Sequence, residues 1–194
     1  MRKMIEIVAM AAMPVLIIAS SCTPRHKPVV VPQMPPSPAE CMAKTELSHN
    51  VFQNECLGLS FESKMPFLFN KKCPADQVLN IAVPKAGYSI QVFAFRNPAR
   101  QIITPESQSA FMKAAREHIV NRNPGIKITK EEIVFFGKVP AVYIAGINKD
   151  RLERRFFFNN RGQWVQLTLI AKDKNFNRDV KPAQDALLNT LKLF

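Results

Sequence analysis

The sequence has few cysteines, few glycines and fewer acidic than basic side chains. Its 194 residues include 4 Cys and 6 Gly, and 27 Lys and Arg face 15 Asp and Glu, for a formal net charge of +12. Four cysteines are too few for a small disulfide-framed scaffold. The body of the chain has no apolar run of about 18 residues, which excludes a multi-span helical membrane protein. With so little glycine there is no GxxxxGK(S/T) or GxGxxG loop, so nucleotide chemistry is not expected.

Patterns for catalysis and metal binding are also missing. The histidines are His26, His49 and His118, and none lies at zinc-ligand spacing from a cysteine or another histidine. A thiol nucleophile needs a base held beside it, and His118 falls on the apolar stripe of a predicted helix. We therefore expect no enzyme activity, no metal and no cofactor other than a covalent lipid. A periplasmic hydrolase with a site assembled from distant residues is the alternative.

The first residues are typical of an export signal. Arg2 and Lys3 precede an apolar run of 14 residues, from Ile7 to Ser20, that contains Pro14. At about 1.5 Å per residue this run is shorter than a hydrocarbon core of about 30 Å. These properties favour a cleaved signal over a spanning helix.

The end of this run is similar to the lipobox of bacterial lipoproteins. The sequence reads Ala19-Ser20-Ser21-Cys22, and in lipoproteins that cysteine receives a diacylglycerol through its sulfur. Ala19 replaces the leucine that is common there, and Ala19 with Ser21 also fits ordinary signal peptidase. The resemblance implies a signal peptide of residues 1–21, lipidation of Cys22 with a palmitate-type anchor, and firm membrane binding. Plain secretion and an uncleaved anchor are the alternatives.

Residue Thr23 extends this interpretation to a location. In lipoproteins of two-membrane bacteria, Asp after the lipidated cysteine commonly marks retention in the inner membrane. Thr23 occupies that position here. The resemblance therefore implies an anchor in the cell outer membrane with the domain facing the periplasm.

Residues 22–48 are predicted to be a tether with a short lead-in helix. Between Thr23 and Glu40, six of 18 residues are Pro and none is Gly, so this stretch is expected to be extended. At about 3.1 Å per residue it would reach about 55 Å. Ser37-Pro38-Ala39-Glu40 fits a capping box with proline at the first helical position. It predicts a helix to about Leu47.

Residues 49–194 are predicted to form one α+β domain, an antiparallel meander with helices packed on it. Alternating apolar and polar residues predict six strands: Leu57–Phe61, Tyr88–Phe95, Ile133–Phe136, Val139–Ile147, Glu153–Asn159 and Gln163–Lys172. Turn signals between the later strands predict hairpins, at Gly137-Lys138, Asn148-Lys149-Asp150 and Asn159-Asn160-Arg161-Gly162. Hairpins connect antiparallel strands, which excludes a parallel βαβ array.

Two helices are predicted to pack on this sheet. Thr104-Pro105-Glu106 begins the first, and Asn123-Pro124-Gly125 ends it. Its apolar stripe is Phe111, Ala114, Ala115, His118 and Ile119. The second helix closes the chain with a stripe of Val180, Ala183, Leu187, Leu191 and Phe194. An antiparallel sheet with one apolar face supplies the surface that both stripes need.

The order of these elements resembles the PsbP-like fold over roughly residues 50–194. The segments that carry the resemblance are LGLSFESKMPF, YSIQVFAF, SQSAFMKAAREHIV, FFGKVPAVYIAG, RRFFFNNRGQWVQLTLIA and AQDALLNTLKLF. This fold also includes the DcrB-type bacterial lipoproteins and a Ran-binding nuclear-import factor, and its members act mainly in binding and assembly. The resemblance implies a non-catalytic binding domain, and it transfers no individual site residue.

Three thiols remain if Cys22 is lipidated. An exported protein meets an oxidising compartment, where a pair of thiols is expected to be bridged. Cys56 and Cys73 are the first choice for that pair, and a bridge from Cys41 to either of them stays open. Unpaired buried thiols are the further alternative. A loop of this size, once bridged, adds about 3 kcal/mol of stability in the chain-entropy model.

Basic residues are concentrated after Asn148. Four arginines surround two predicted turns near the single tryptophan. We predict that they form a face for an anionic partner, consisting of Arg151, Arg154, Arg155, Arg161 and Trp164. Anionic lipid head groups, lipopolysaccharide phosphates or an acidic protein would suit such a face. A solvated surface is the alternative interpretation.

The sequence therefore predicts a lipid-anchored, non-catalytic envelope protein that binds or assembles. Nucleic acid is not expected as a partner, because the export signal removes the domain from it. An accessory lipoprotein of a secretion or pilus apparatus, docking one large protein, is the competing function.

Overall fold

The computed structural model describes residues 36–69, 76–97, 101–172 and 180–194. The chain divides into two compact units, Met1–Gln33 and Met34–Phe194. The first unit lies wholly outside the described residues, and with it the predicted signal peptide and Cys22. No helix within the described ranges is long and apolar enough to cross a membrane.

The second unit combines helices with two antiparallel sheets. The helices of the described ranges are α1 (Pro38–Ala43), α2 (Gln108–Arg122) and α3 (Lys181–Asn189), with a 3-10 turn at Pro84–Ala86. The strands are β1 (Thr45–Leu47), β2 (Val51–Asn54), β3 (Leu59–Glu62), β4 (Leu68–Phe69), β5 (Gln77–Val83), β6 (Tyr88–Arg96), β7 (Lys127–Phe136), β8 (Val139–Asn148), β9 (Arg151–Asn160), β10 (Gln163–Lys172) and β11 (Lys192–Leu193). The predicted α+β class with antiparallel pairing is confirmed.

The large sheet has seven strands in the order β4-β5-β6-β10-β9-β8-β7, and the small sheet has four in the order β1-β2-β3-β11. Tight turns connect β7 to β8, β8 to β9 and β9 to β10, as the turn signals predicted. The last two turns place Lys149 at φ 58° and Arg161 at φ 49°, in the left-handed region that such hairpins require. The meander from β7 to β10 therefore has the predicted connectivity.

The large sheet is covered on one face and partly covered on the other. One face carries the main core, to which β10 contributes Val165, Leu167, Leu169 and Ala171. Residues on the other face alternate with these, as the strand period of two requires. There α2 covers part of the sheet, because Ala115 and Ile119 pack on Val142 and Ile144. The rest of this second face is open beyond the C-terminal end of α2.

Several element ends differ from the sequence prediction. Helix α1 ends at Ala43 instead of near Leu47, because Thr45–Leu47 pair with β2. Strand β3 begins at Leu59 instead of Leu57, because Glu55–Gly58 form a turn. The predicted last turn of the closing helix is wrong: α3 ends at Asn189, and β11 pairs with β3.

The disulfide of the structure joins Cys41 to Cys56, whose Cα atoms are 5.1 Å apart. This pairing corrects the first choice of Cys56 with Cys73, and Cys73 itself lies outside the described residues. The buried side chain of Asn54 explains the proximity: its amide donates to the Cys41 carbonyl at 2.6 Å, and its oxygen accepts from the Leu57 N–H at 2.9 Å. The predicted lead-in is thus packed into the domain.

Candidate functional site

A cleft of about 640 Å³ lies on the open part of the second face. Its floor consists of polar side chains from three neighbouring strands. Thr168 of β10 pairs with Gln91 of β6 on one side and with Arg155 of β9 on the other. Gln166 and Glu153 lie two residues from this row, on the same face of their strands. We call this feature the polar cleft.

The walls of the polar cleft come from α2 and from the turn between β8 and β9. The last turns of α2 contribute His118, Ile119 and Arg122, and the β8–β9 turn contributes Lys149 and Asp150. The Arg122 guanidinium is held at the edge of the cleft by Asp76, at 2.7 Å. These two elements therefore project charged groups over a floor that the sheet supplies.

The floor of the polar cleft contains a buried ion pair. Arg155 and Glu153 are 6% and 5% exposed, and the Arg155 guanidinium donates to the Glu153 carboxylate. Burial lowers the pKa of Arg155 from its ordinary value, while the Glu153 carboxylate opposes that shift. The guanidinium stays charged, since arginine is not deprotonated in proteins. One of its donors, Nε, has no hydrogen-bond partner among the described residues.

Two further polar atoms near the floor lack a partner within the described part of the chain. They are Oε1 of Gln166 and Nε2 of His118. The Gln166 amide donates to the Thr168 hydroxyl at 2.9 Å, which fixes its orientation. Buried polar groups in proteins are almost always hydrogen-bonded. These atoms, with Nε of Arg155, are therefore the groups that a bound ligand or ordered water would satisfy.

His118 occupies the boundary between polar and apolar surroundings. Its ring lies edge-on to Phe95 at 5.5 Å and to Phe157 at 6.1 Å, between ring centroids. Burial lowers the pKa of His118, and the positive charges of Arg122 and Arg155 lower it further. The imidazole is consequently neutral at pH 7. Gln166 and Asp76 oppose the shift without cancelling it.

An apolar chamber of about 320 Å³ adjoins the polar cleft between α2 and the sheet. His118 contributes to the lining of both. The single tryptophan, Trp164, lies in this chamber with its ring centroid 4.8 Å from that of Phe111. The remaining lining is mainly aromatic and alanine side chains, namely Phe95, Ala114, Ala115, Val142 and Phe157, with Gln101.

The five residues of the predicted anionic-partner face are not brought together on one surface. Arg151 is exposed and lines the polar cleft, and Arg155 lies at its floor. Arg154 projects from the opposite face of β9, because successive residues of a strand alternate. There it donates to Asp185 of α3 at 2.8 Å and is mostly buried.

The other two members of that set have separate places. Arg161 donates to the backbone carbonyls of Phe194, at 2.9 Å, and of Glu55, so it ties the β9–β10 turn to other segments. Trp164 packs under α2 in the apolar chamber. The expected face is thus corrected: two of its five residues belong to the polar cleft, and the others have structural contacts.

The residues that sequence reasoning missed are those that complete the cleft from other elements. Arg122 and Asp76 carry no local signal, since their meeting depends on how α2 lies across the sheet. Gln166 and Thr168 do carry one. They alternate with apolar residues in β10, and both are nonetheless buried. Buried polar residues at alternate positions of a central strand mark a face that is not ordinary core.

The lining gives the cleft an excess of positive charge. Arg122, Lys149, Arg151 and Arg155 line it together with two acids, Asp150 and Glu153. Within the described ranges, no group of three or more His, Cys, Asp or Glu is placed to hold a metal ion. The arrangement offers hydrogen-bond donors and cationic groups to a small anionic ligand.

Comparison with known proteins supports the architecture. No family model and no curated protein matches the sequence. The fold is the PsbP-like α+β fold, with antiparallel sheets and a few helices. It is similar to the solution structure of CyanoP, the cyanobacterial PsbP of Synechocystis sp. PCC 6803, with a TM-score of 0.56 and 10% identity over 76% of this chain and 95% of that chain.

A second solved structure, at a lower score, is PA94 from Pseudomonas aeruginosa, a protein of unknown function described as a putative regulator. It has a TM-score of 0.42 and 11% identity, and the match covers 66% of this chain and 81% of that chain. At such identities the likeness to CyanoP concerns the fold alone. The polar cleft is thus interpreted from its own residues.

Proposed function

We propose that this chain is a lipid-anchored, non-catalytic binding protein of the bacterial cell envelope, and that it binds an anionic ligand in the polar cleft. The observation that carries the proposal is the cleft itself. Three cationic side chains, Arg122, Lys149 and Arg151, line the cleft above a floor on which Arg155 presents a buried donor, Nε, that has no hydrogen-bond partner among the described residues. An anion that accepts hydrogen bonds satisfies the arginine donor and gains from the positive lining.

The sequence before the domain supports the envelope location. The apolar run that ends in Ala19-Ser20-Ser21-Cys22 is similar to a lipoprotein signal, and a proline-rich stretch follows it. A lipid on Cys22 would fix the chain to the outer membrane, and an extended tether would hold the domain in the periplasm. A binding domain needs only this placement and its cleft, so the proposal requires no catalytic group.

The first prediction tests the cleft by removing charge at its rim. The double variant Lys149→Asn with Arg151→Gln removes two exposed cationic groups, and asparagine tolerates the positive φ of Lys149. Each exposed charge contributes up to about 1 kcal/mol, so we expect the affinity for inorganic phosphate to fall by about tenfold. Isothermal titration calorimetry at an ionic strength of about 0.1 M measures it.

The matched control is Lys85→Gln with Lys138→Gln, which removes the same charge from exposed positions outside the cleft. This control should keep the affinity within about twofold, since screening weakens charges farther than about 10 Å away. Equal losses of phosphate affinity in the two double variants would show that phosphate is attracted by the net charge of the protein alone, and would contradict a specific site in the cleft. Failure of the unmodified chain to bind phosphate or any phosphate monoester would contradict the proposed function.

A further inference from the structure

The polar cleft and the apolar chamber together have the form of a site for one elongated ligand. We infer that the ligand is an anionic amphiphile, with its head group in the polar cleft and a single alkyl chain in the apolar chamber. This inference rests on the proposed function, because it assigns a chemical class to the ligand of the same cleft. It adds a second binding region, under α2, that a purely polar anion would not use.

The sheet changes from polar to apolar in the same direction on adjacent strands. On β9 the change runs from Arg155 to Phe157, and on β10 it runs from Gln166 to Trp164. The two changes are offset by one row, since Thr168 pairs with Arg155 whereas the polar Gln166 pairs with Phe157. On the other side of β10, Phe95 of β6 pairs with Trp164. The floor is therefore continuous, with a polar end and an aromatic end.

Helix α2 repeats this change along its length. Arg122 and the residues of its last turn face the polar cleft, whereas Phe111 and Ala115 face the apolar chamber. From residue 111 to residue 122 the helix rises about 16 Å. His118 lies between the two ends and lines both regions. The sheet and α2 therefore change from polar to apolar in the same direction. A ligand would lie with its charged head near the C-terminal end of α2 and its apolar tail toward the N-terminal end.

The chamber also continues beyond the sheet. A groove of about 500 Å³ runs beside α2 toward its N-terminal end, and it shares Gln101, Phe111 and Ala114 with the chamber. Ile102, which lines this groove, is 61% exposed. A ligand that covers exposed apolar surface of this kind gains binding free energy from the hydrophobic effect. Ala114 lies where chamber and groove join, so a chain longer than the chamber has a path outward.

The size of the chamber favours one alkyl chain over two. Its volume of about 320 Å³ is at the lower end of the range of about 300–1,000 Å³ that ligand pockets span. A single chain fits such a volume in an extended form. A phosphate or a carboxylate head would each suit the arginine-lined cleft, and the experiment separates the two.

The test uses the full chain with Cys22→Ser, which abolishes lipid attachment and the need for detergent. Methyl, butyl, hexyl, octyl and decyl phosphate are titrated below their critical micelle concentrations. We expect affinity to rise about fourfold per methylene until the chamber is filled, the increment for burial of about 0.8 kcal/mol per methylene. Trp164, the single tryptophan, should change its fluorescence with the longer chains and not with methyl phosphate.

The variant Ala114→Phe places an aromatic ring at the junction of chamber and groove. Ala114 is exposed on the helix, so the substitution leaves the core packing of α2 in place. Decyl phosphate should then bind no more tightly than hexyl phosphate does, while methyl phosphate binding stays unchanged. The control is Ser109→Phe, an exposed position of α2 that lines none of these cavities. Circular dichroism confirms that both variants are folded.

The outcomes separate this inference from the proposed function. Methyl phosphate binding with no dependence on chain length overturns the amphiphile while leaving the anion-binding function intact. If no member of the series binds, both fail. Decanol that binds as tightly as decyl phosphate overturns the anionic head. Decanoate that binds more tightly than decyl phosphate supports the inference with a carboxylate head, whereas a preference for decyl phosphate supports it with a phosphate head. Equal affinities support an anionic head of either kind.

Discussion

At the scale of single residues, neighbouring groups set the protonation state of partly buried side chains. Asp185 shows this clearly on the far side of β9. Burial raises the pKa of its carboxyl, but hydrogen bonds from Lys181 and Arg154 outweigh burial and lower the pKa overall. The result is an anion that anchors Arg154 to α3 on the face of β9 opposite the cleft.

The state of His118 leads to a prediction about pH. Burial holds its pKa below the ordinary value of about 6.5 in the folded protein, so between the two pKa values the unfolded chain binds more protons. Stability must then decrease as pH falls from about 7 through 6.5 toward the lowered pKa. We expect His118→Gln to reduce the loss of unfolding free energy between pH 7.5 and 5.5, measured by urea denaturation.

A non-titrating, exposed position of α2 provides the comparison for this experiment. Ser109→Gln should show the same pH dependence as the unmodified chain, because it removes no titratable group. If the unfolding free energy of the His118→Gln variant falls with pH as steeply as that of the unmodified chain, then carboxyl groups alone cause the decrease in stability. In that case His118 would not be held neutral by the chamber.

At the scale of elements, local patterns predicted the strands of the meander and missed β5. Gln163–Lys172 alternates in sequence along most of its length, Val139–Ile147 is an apolar run between two turn signals, and both are strands in the structure. Strand β5 was missed because Gln77–Val83 is buried on both faces and carries a bulge, which removes the period of two. The last turn of α3 was assigned to a helix because Leu191 and Phe194 keep helical spacing. Pairing of Lys192 and Leu193 with β3 overrides that propensity.

The disulfide is the element-scale feature most open to test. Peptide mapping without reduction should yield the Cys41–Cys56 linked pair, and a Cys56–Cys73 pair would contradict the structure. The double variant Cys41→Ala with Cys56→Ala should lower the free energy of unfolding by about 3 kcal/mol, since the bridge closes a loop of about 15 residues. Guanidinium denaturation of the oxidised proteins measures this difference. Cys73→Ala should retain the linked pair.

At the scale of the whole molecule, the sequence predicted the fold class and much of the element order but not the cleft. Turn signals and alternation are local, and they suffice to define an antiparallel meander with helices. The cleft depends on register, which puts Thr168 between Gln91 and Arg155, and on where α2 crosses the sheet. Neither is local. The charge cluster after Asn148 was visible, but strand alternation sends Arg154 and Arg155 to opposite faces.

The whole-molecule prediction concerns processing of the chain. Mass spectrometry of the protein isolated from a two-membrane bacterium should show a mature chain that begins at Cys22 and carries acyl groups. Because two or more chains anchor a protein stably, it should fractionate with outer membranes, and Cys22→Ser should release it. A mature chain that begins at Thr23, or an unmodified Cys22, would contradict the lipid anchor and leave the cleft prediction untouched.

Under the proposed lipid anchor, the Cys41–Cys56 bridge would have a mechanical consequence for the domain. A force applied along the chain at Ser37 first loads α1, whose six residues would offer little resistance by packing alone. The covalent link passes that load from Cys41 to the β2–β3 turn, and the Asn54 amide bonded to the Cys41 carbonyl shares it. The force is thereby carried into the small sheet, so β1 and the part of α1 after Cys41 are protected from being pulled away from the domain.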